Sequence, residues 1–268
     1  MFIKILFPQL TGRMIKIKTK EEIEILREGG RRLAEILSIL ASKVVPGVSA
    51  LELEEEAMRL IKKGGDEPAF LGYRPQGAKR PFPAALCVSV NDEIVHGIPN
   101  ETEKIVKEGD IVSLDFGLLH HGLITDAAIT VPVGEVDEES KKLIETTKAA
   151  LESGIEATKP GNTIGDIGAA ITRVVRESGF TLAESLVGHG VGYRVHEDPF
   201  VPNFGIAGRG EKLVPGLVIA IEPMVNIGKS GIKILFDGYT IKTRDGSRSA
   251  HFEHTVAITE NGHIILTA

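Results

Sequence analysis

Several features that indicate the class of a protein, among them cysteines and long apolar runs, are scarce or missing in this sequence of 268 residues. There is one cysteine, Cys87, and there is no tryptophan. A single cysteine excludes an intramolecular disulfide and a cysteine-based zinc finger, and it is typical of a reducing compartment. No apolar run approaches the roughly 20 residues that cross a bilayer. We therefore expect no contact with a membrane.

Clustered positive charge is also missing. The formal net charge is −6, and the pair Lys79-Arg80 is too short to form the basic surface that contacts with nucleic-acid phosphates need. We expect no specificity for nucleic acid. With 42% hydrophobic and 25% charged residues, the composition is that of an ordinary globular protein of one or two domains.

The first residues are apolar, but Pro8 interrupts the patch and no small-residue cleavage site follows. We predict no signal peptide and a cytoplasmic location. Met14 would serve as a start as well as Met1 does. We therefore interpret residues 1–14 as an N-terminal extension and residues 15–268 as a single domain.

Two pairs of predicted helices repeat at an interval of 114 residues. A capping box at Thr19 starts a helix over 20–43, and a second helix runs from a cap at Ser49 to Gly65. A third helix is predicted over 138–157. Shifting the landmarks Pro46-Gly47, Ser49 and Gly65 by 114 positions gives Pro160-Gly161, Thr163 and Gly179. These are common helix boundaries, so a chance match is the alternative to a duplication.

Alternating, β-branched segments follow each helix pair, at 85–90, 111–118 and 123–131 and again at 217–221, 238–242 and 252–258. We predict a mixed α/β protein of the α+β class. It would have two similar halves, about 15–134 and 135–268, each with two helices and an antiparallel β segment. A site is expected at their junction.

Asp115 and Asp126 flank the turn-like centre His120-His121-Gly122. In a hairpin with an even-numbered loop, partner residues have numbers that sum to 241 or 243. Asp115 is then either directly opposite Asp126 or diagonal to it. Two like charges about 5 Å apart repel each other, and a core that accepts them usually holds a cation.

Three more segments carry polar groups among apolar residues. Glu222 ends an apolar strand before Pro223, and His189 lies between two glycines that would let backbone approach a ligand. Alternation places His251, Glu253 and Thr255 on one face of a strand, without showing which face is buried. Any one of these residues, taken singly, fits a solvated or hydrogen-bonded polar group.

Taken together, four carboxylates and one imidazole match the ligands of two divalent cations: Asp115, Asp126, His189, Glu222 and Glu253. Two cations roughly 3.5–4 Å apart suit hydrolysis, because they lower the pKa of a shared water and polarise a carbonyl oxygen. His96, next to a glycine before a turn, is not needed for this set. It could donate to a substrate amide, or it could be an ordinary surface-turn histidine.

The motifs NDEIVHGIP, IVSLDFG through ITDAA, GHGVGYRVHEDP, IAIEPM and HFEHTV resemble, in this order and spacing, those of the type I methionine aminopeptidase family. The resemblance covers residues 15 to 268. It implies the pita-bread fold, in which two related halves hold a metal centre between them. The cofactors implied are two divalent ions, which could be Co, Mn, Fe or Zn.

The resemblance also implies roles for individual residues. Asp115, Asp126, His189, Glu222 and Glu253 would be the metal ligands. A hydroxide bridging the metals would attack the first peptide bond and release the initiator methionine of nascent proteins and peptides. His96 would contact the scissile amide, His196 would stabilise the oxyanion, and Glu222 would shuttle the proton, so these three are the expected catalytic residues. We expect a monomer, and ribosome association fits nascent substrates.

A methionine pocket needs apolar walls with aromatic or polarizable groups. By the resemblance, Tyr73, Cys87 and Tyr239 would line it, together with His96 and His196. Phe82 would take the place of a second aromatic, because a longer loop follows Tyr73 here than in the family. Phe70 replaces a small residue or a cysteine, so it either narrows the pocket or belongs to the core.

Two alternatives accompany this interpretation. Proline-directed enzymes of the same fold, aminopeptidase P and prolidase, have similar ligands but usually carry a further N-terminal domain, for which a first motif at His96 leaves no room. Binding modules of this fold have lost ligands, whereas all five are present here. The interval of 26 positions between His196 and Glu222 is too short for the helical insertion of type II enzymes.

Overall fold

The structure of the protein is a computed structural model that describes residues 15–183 and 186–268. The predicted N-terminal extension, residues 1–14, lies outside the described residues. Within the described ranges the chain forms four helices: α1 (Lys20–Ser42), α2 (Ala50–Gly64), α3 (Glu138–Glu156) and α4 (Ile164–Ser178). None of these helices combines the length and the apolar character needed to cross a membrane.

The helices repeat at the predicted interval. Adding 114 to the bounds of α2 gives those of α4, and adding 114 to the end of α1 gives the end of α3. Capping boxes at Ser49 and Thr163 start α2 and α4, and Gly65 and Gly179 end them in the left-handed conformation, with φ of 76° and 85°. Glycine is the residue that adopts this conformation without strain. The helical part of the predicted duplication is therefore present.

The strands fall into three sheets. The largest contains nine: β1 (Glu67–Pro68), β2 (Cys87–Val90), β4 (Ile111–His120), β5 (Leu123–Pro132), β7 (Val187–Gly190), β8 (Glu197–Pro202), β9 (Val218–Ile221), β14 (Glu253–Thr259) and β15 (Gly262–Ile265). Two smaller sheets have three strands each. They are formed by β6 (Thr181–Leu182), β10 (Met224–Asn226) and β13 (Ser249–His251), and by β3 (Glu93–Val95), β11 (Ile232–Ile234) and β12 (Ile241–Thr243).

The largest sheet runs continuously from one half of the chain to the other, in the order β1-β4-β5-β14-β9-β7-β8. The halves meet where β5 pairs antiparallel with β14, through Ala128 opposite Glu253 and Ala127 opposite His254. One hydrophobic cluster packs α1 and α2 on the first half, and a second packs α3 and α4 on the other. The α+β, pita-bread prediction is confirmed, and this seam is where a site was expected.

The β4–β5 hairpin has a two-residue turn at His121-Gly122, with φ of 46° and 82°. Positive φ at both positions is required by the type I′ turn that matches the twist of paired strands. Partners in this hairpin sum to 243, so Asp115 faces Ala128 and Asp126 faces Gly117. Of the two predicted arrangements, the diagonal one is correct.

Three predicted strand segments have different bounds. The strand expected at 85–90 begins at Cys87, because the amides of Ala85 and Leu86 donate to the buried Glu54 carboxylate instead of to a neighbouring strand. The segment 238–242 is mostly a turn, with Gly238 at φ 86° before β12. The segment 252–258 is observed as β14 and begins one residue later, at Glu253, because Phe252 separates it from β13.

The glycines on either side of His189 also have a structural role. A Cβ at Gly188 would lie 2.4 Å from the carbonyl oxygen of Ala220, and one at Gly190 would lie 2.3 Å from that of Asp198. Both contacts are with neighbouring backbone, well inside van der Waals distance. These glycines therefore permit close packing of backbone around β7, a role that was not predicted from the sequence.

Candidate active site

The candidate side chains lie in two adjacent rows on one face of the large sheet. Residues directly opposite each other in a sheet project from the same face. The first row, through paired strands, contains Cys87, Asp115, Ala128 and Glu253. The second row contains, in order, Gly117, Asp126, Thr255, Ala220 and His189. Small residues between the acidic and imidazole groups leave space above the sheet for a cavity.

The seam between the halves is fixed at Asp126. Its amide donates to the Thr255 hydroxyl at 2.9 Å, and this hydroxyl donates back to the Asp126 carbonyl at 2.8 Å. The two residues are 129 positions apart in sequence. These bonds set the spacing between the carboxylate from the first half and the groups from the second.

Most of the unpaired buried polar atoms of the described residues belong to this site. Five of eight such side-chain atoms are Asp115 Oδ1, Asp126 Oδ1, Glu253 Oε1 and the two ring nitrogens of His251. Native proteins leave few buried polar atoms without a partner, because the desolvation cost is not recovered. The unpaired oxygens therefore fit a bound cation.

The electrostatics of the carboxylates lead to the same conclusion. Burial raises the pKa of Asp115 well above its ordinary value, and the charge of Glu222 adds to this rise. Burial also raises the pKa of Asp126, Glu222 and Glu253, with further contributions from neighbouring carboxylates. Four such groups in one pocket cannot all be ionised without positive charge. A divalent cation supplies that charge and lowers the pKa values of the carboxylates, so that the ionised forms become favourable.

His189 is held in the form that binds metals. Its Nδ1 lies 3.0 Å from the Gly190 carbonyl, which can only accept, so Nδ1 carries the proton and the lone pair of Nε2 faces the site. Nε2 is 3.4 Å from Glu222 Oε1. Burial lowers the pKa of His189 to about 4, which keeps the ring neutral. Potential ligand atoms of Asp126, His189 and Glu253 all lie within 4.8 Å of one another.

His251 was not among the predicted site residues. Ligand atoms of Glu222, His251 and Glu253 form a second group within 4.8 Å, and burial lowers the pKa of His251 to about 3. The alternation that puts His251 on the face of Glu253 was the signal that could have found it. It was not decisive, because alternation alone does not show which face is buried. In the structure His251, Glu253 and Thr255 are the buried set.

His96 and His196 lie in the same cavity as the five ligand candidates. His96 follows β3 with a positive φ of 59°, and burial lowers its pKa to about 4. His196 Nδ1 is 2.7 Å from the Tyr73 hydroxyl, and its ring centroid is 4.4 Å from that of His189. Burial also lowers the pKa of His196 well below its usual value. Both rings are therefore neutral and hold a single N–H each.

The predicted pocket residues line this cavity as well: Phe70, Tyr73, Phe82, Cys87 and Tyr239. The loop after Tyr73 folds back on itself, because the Phe82 amide donates to the Tyr73 carbonyl at 2.8 Å and the Gly72 amide donates to the Phe82 carbonyl at 2.9 Å. The ring of Phe82 meets Tyr239 edge to face at 5.2 Å. The longer loop thus returns an aromatic ring to the pocket.

Phe70 packs directly on the sheet beside the aspartates. A Cβ at Gly117, the partner of Asp126, would lie 2.8 Å from Phe70 Cε1. The ring therefore occupies the space that a side chain at position 117 would take. Phe70 is a buried core residue and also lines the cavity.

Comparison with known proteins shows the family to which the chain belongs. The model of metallopeptidase family M24 matches residues 24–260. The chain belongs to metallopeptidase family M24. Members are hydrolases that use divalent metal, and the side chains described above could hold such an ion.

Within family M24, the chain is similar to methionine aminopeptidases. That of Aquifex aeolicus is 48% identical over 255 residues, covering 94% of this chain and 98% of the relative. The crystal structure of methionine aminopeptidase from Thermotoga maritima has a TM-score of 0.90 and 46% identity, covering 95% of this chain and 99% of that one. The resemblance to the type I methionine aminopeptidase family is confirmed. No helix occupies the interval from His196 to Glu222, all of which is described.

A proline-directed enzyme is a more distant match. Prolidase from Pyrococcus furiosus has a TM-score of 0.71 and 25% identity. The match covers 94% of this chain but 65% of the prolidase. The fold is shared, while the length and the sequence agree better with the methionine aminopeptidases.

Proposed function

We propose that this chain removes the N-terminal methionine from peptides and nascent polypeptides. The observation that carries the proposal is one cavity in which unpaired carboxylates and neutral imidazoles adjoin aromatic walls. Its membership of family M24 and its similarity to methionine aminopeptidases support the choice of substrate. The reaction is hydrolysis of the first peptide bond.

We propose two divalent ions per chain, held by Asp115, Asp126, His189, Glu222 and Glu253. The four carboxylates would carry a charge of about −4 when ionised, which two divalent ions balance. Ions bound there would lower the pKa of water and polarise the carbonyl oxygen of the scissile bond. Co, Mn, Fe and Zn are all compatible with this donor set.

Glu222 is the carboxylate suited to moving a proton. It follows the end of β9 and retains some exposure, whereas Asp115, Asp126 and Glu253 lie within strands and are more deeply buried. It can accept a proton from the attacking water and deliver it to the departing amine, which is general base and then general acid catalysis. The Asn203 amide, which donates to the Glu222 carbonyl at 2.9 Å, helps to hold this segment in place.

The two remaining histidines are assigned to the scissile bond. His196 can stabilise the oxyanion if the Tyr73 hydroxyl donates to Nδ1, because the single proton of the neutral ring is then on Nε2. His96 lines the same cavity, and its N–H is assigned to the scissile amide. Phe70, Tyr73, Phe82, Cys87 and Tyr239 would surround the methionine side chain, for which aromatic and sulfur groups are favourable neighbours.

Competing peptides test the choice of substrate. The purified, metal-loaded enzyme is given Met-Gly-Met and Ala-Pro peptides at equal concentration, and the released amino acids are quantified. We expect release of methionine and no cleavage before proline. Cleavage of the proline peptide alone would favour the prolidase class and reject the proposal.

Metal analysis of protein prepared without chelator separates an enzyme from a binding module. We expect up to two divalent ions per chain and activity that rises when Mn²⁺ or Co²⁺ is added. Protein with no metal and no gain of activity would instead support a partner-recognition module of the same fold.

The remaining assignments extend this proposal to the whole protein. We propose that residues 15–268 act as one catalytic domain, that the protein is a monomer in the cytoplasm, and that it acts on chains still bound to the ribosome. Sedimentation of the purified protein with and without ribosomes would test both the monomer and the association.

A further inference from the structure

His251 is a buried histidine for which the proposed mechanism has no role. Its exposure is 1%, and neither ring nitrogen has a hydrogen-bond partner among the described residues. Its backbone is fixed on both sides by Thr130, whose hydroxyl accepts from the His251 amide at 2.9 Å and donates to the His251 carbonyl at 2.8 Å. A buried ring with two unpaired nitrogens costs stability unless something binds it.

The ring is directed at two carboxylates. His251 Nε2 lies 3.6 Å from Glu222 Oε2 and 3.8 Å from Glu253 Oε2. These separations are too long for hydrogen bonds. They suit two ligands of a single ion, since metal–nitrogen and metal–oxygen bonds of about 2.0–2.2 Å allow a separation of up to roughly 4 Å.

Glu222 lies between two imidazoles. Its Oε1 is 3.4 Å from His189 Nε2, while its Oε2 faces His251. Glu253 is shared in the same way, because it belongs both to the group with Asp126 and His189 and to the group with His251. Each of the two groups of potential ligands therefore contains one histidine, His189 in the first and His251 in the second.

We propose that His251 is a sixth metal ligand, and that Glu222, His251 and Glu253 form a coordination group beside that of Asp126, His189 and Glu253. This inference rests on the proposed metal-dependent function. A second imidazole favours ions that bind nitrogen well, such as Fe²⁺, Co²⁺ and Zn²⁺, over Mg²⁺ and Ca²⁺.

Proton NMR of the Co²⁺-loaded protein tests the proposal directly, because the N–H of an imidazole bound to Co²⁺ is shifted far outside the normal range. We expect two such signals at full loading, from His189 and His251. His251→Gln should remove one of them and weaken the binding of one ion by about 10- to 100-fold, measured by calorimetric titration.

His254→Gln is the matched control. His254 is three residues further on, in the next strand β14, and its Nδ1 is hydrogen-bonded to the Thr267 hydroxyl at 2.9 Å. This variant should keep both signals and both affinities. An effect that both variants show would reflect a general disturbance of the segment that contains β13 and β14.

The wild-type spectrum keeps the inference falsifiable if His251→Gln does not fold. A single strongly shifted N–H in fully loaded wild-type protein would overturn it, as would an unchanged spectrum in His251→Gln. Both results leave the proposed function standing, because His189 still binds metal. A wild-type protein that takes up no Co²⁺ would overturn the proposed function and this inference together.

Discussion

Asp126 combines two requirements that conflict in the absence of a cation. Its backbone joins the halves through Thr255, so its position is fixed, while its carboxylate is buried near three others. Burial and the neighbouring charge of Asp115 raise the pKa of Asp126. The residue is thus well placed to bind metal and poorly placed to stabilise the metal-free protein.

Asp126→Asn should therefore separate activity from stability. An amide of the same shape removes one ligand charge, so we expect turnover to fall by about 1,000-fold or more, in line with loss of a principal electrostatic contribution. The metal-free variant should melt at a temperature equal to or above that of the metal-free wild type, because one repulsive charge is gone. Circular dichroism and calorimetry measure both. Retained turnover would contradict the ligand role.

His96→Ala should lower kcat while metal remains bound. His96 lies in the cavity but in neither of the groups of potential ligands. Removing a positioned proton donor typically costs about 100- to 10,000-fold in rate. Metal content by mass spectrometry and kcat with a Met-Gly-Met peptide are the measurements. Loss of metal in this variant would show that His96 is a ligand.

Individual site residues can be predicted from the sequence where a polar side chain interrupts an apolar segment. Asp115, Asp126 and Glu222 could be predicted as site candidates because each carboxylate interrupts a mostly apolar strand and the set together matches metal ligands. His251 could not, because its neighbours alternate regularly and the buried face is decided by pairing with a distant strand. The role of the glycines around His189 also depends on contacts with distant backbone that a linear pattern does not contain.

Among the elements, β5 and β14 have the largest influence on the site, because they belong to different halves and their pairing brings Asp126 to Glu253. The Thr255 hydroxyl completes this pairing with two hydrogen bonds. Thr125, the neighbour of Asp126, has a buried hydroxyl with no partner among the described residues. The two threonines therefore form a natural comparison.

Thr255→Val should lower the free energy of unfolding by about 1–3 kcal/mol, because it leaves the Asp126 amide and carbonyl without their partner. Thr125→Val has nearly the same change in shape and should cost much less. Chemical denaturation of the metal-free proteins measures the difference. Equal effects of the two substitutions would mean that the Thr255 hydrogen bonds do not hold the seam.

The helices could be predicted more closely than the strands. Caps and terminal glycines are local signals, and the predicted positions at Ser49, Thr163, Gly65 and Gly179 are the observed ones. Strand bounds depend on remote partners. The strand at 85–90 is shortened by Glu54, which lies 31 positions from Ala85, and no pattern within the strand contains that information.

In the whole molecule, one helix pair packs on each half of the large sheet. The four carboxylates lie near the seam where β5 of the first half pairs with β14 of the second. The first half contributes Asp115 and Asp126, and the second contributes His189, Glu222 and Glu253. Each half alone is an incomplete ligand set. Binding of metal should therefore stabilise the joined structure, since a ligand that binds only the folded state stabilises it by mass action.

This stabilisation should depend on pH. In the metal-free protein the pKa values of the four carboxylates are raised by burial and mutual repulsion. Groups with a raised pKa in the folded state favour folding below their unfolded pKa, and this contribution is lost as the pH rises through the folded pKa. The metal-free protein therefore loses this contribution as the pH rises above the ordinary carboxylate pKa and through the raised pKa values of the folded state.

The affinity for metal increases as the pH rises, because the ligands must be deprotonated and fewer protons are displaced at the higher pH. The increase in melting temperature on adding Mn²⁺ should thus be larger at about pH 7.5 than at about pH 5.5. Calorimetry of protein with metal and with chelator gives this difference at each pH. In Asp126→Asn the dependence on pH should be weaker, since one of the titrating ligands has been removed. An equal increase at both values of pH would mean that these carboxylates do not hold the metal.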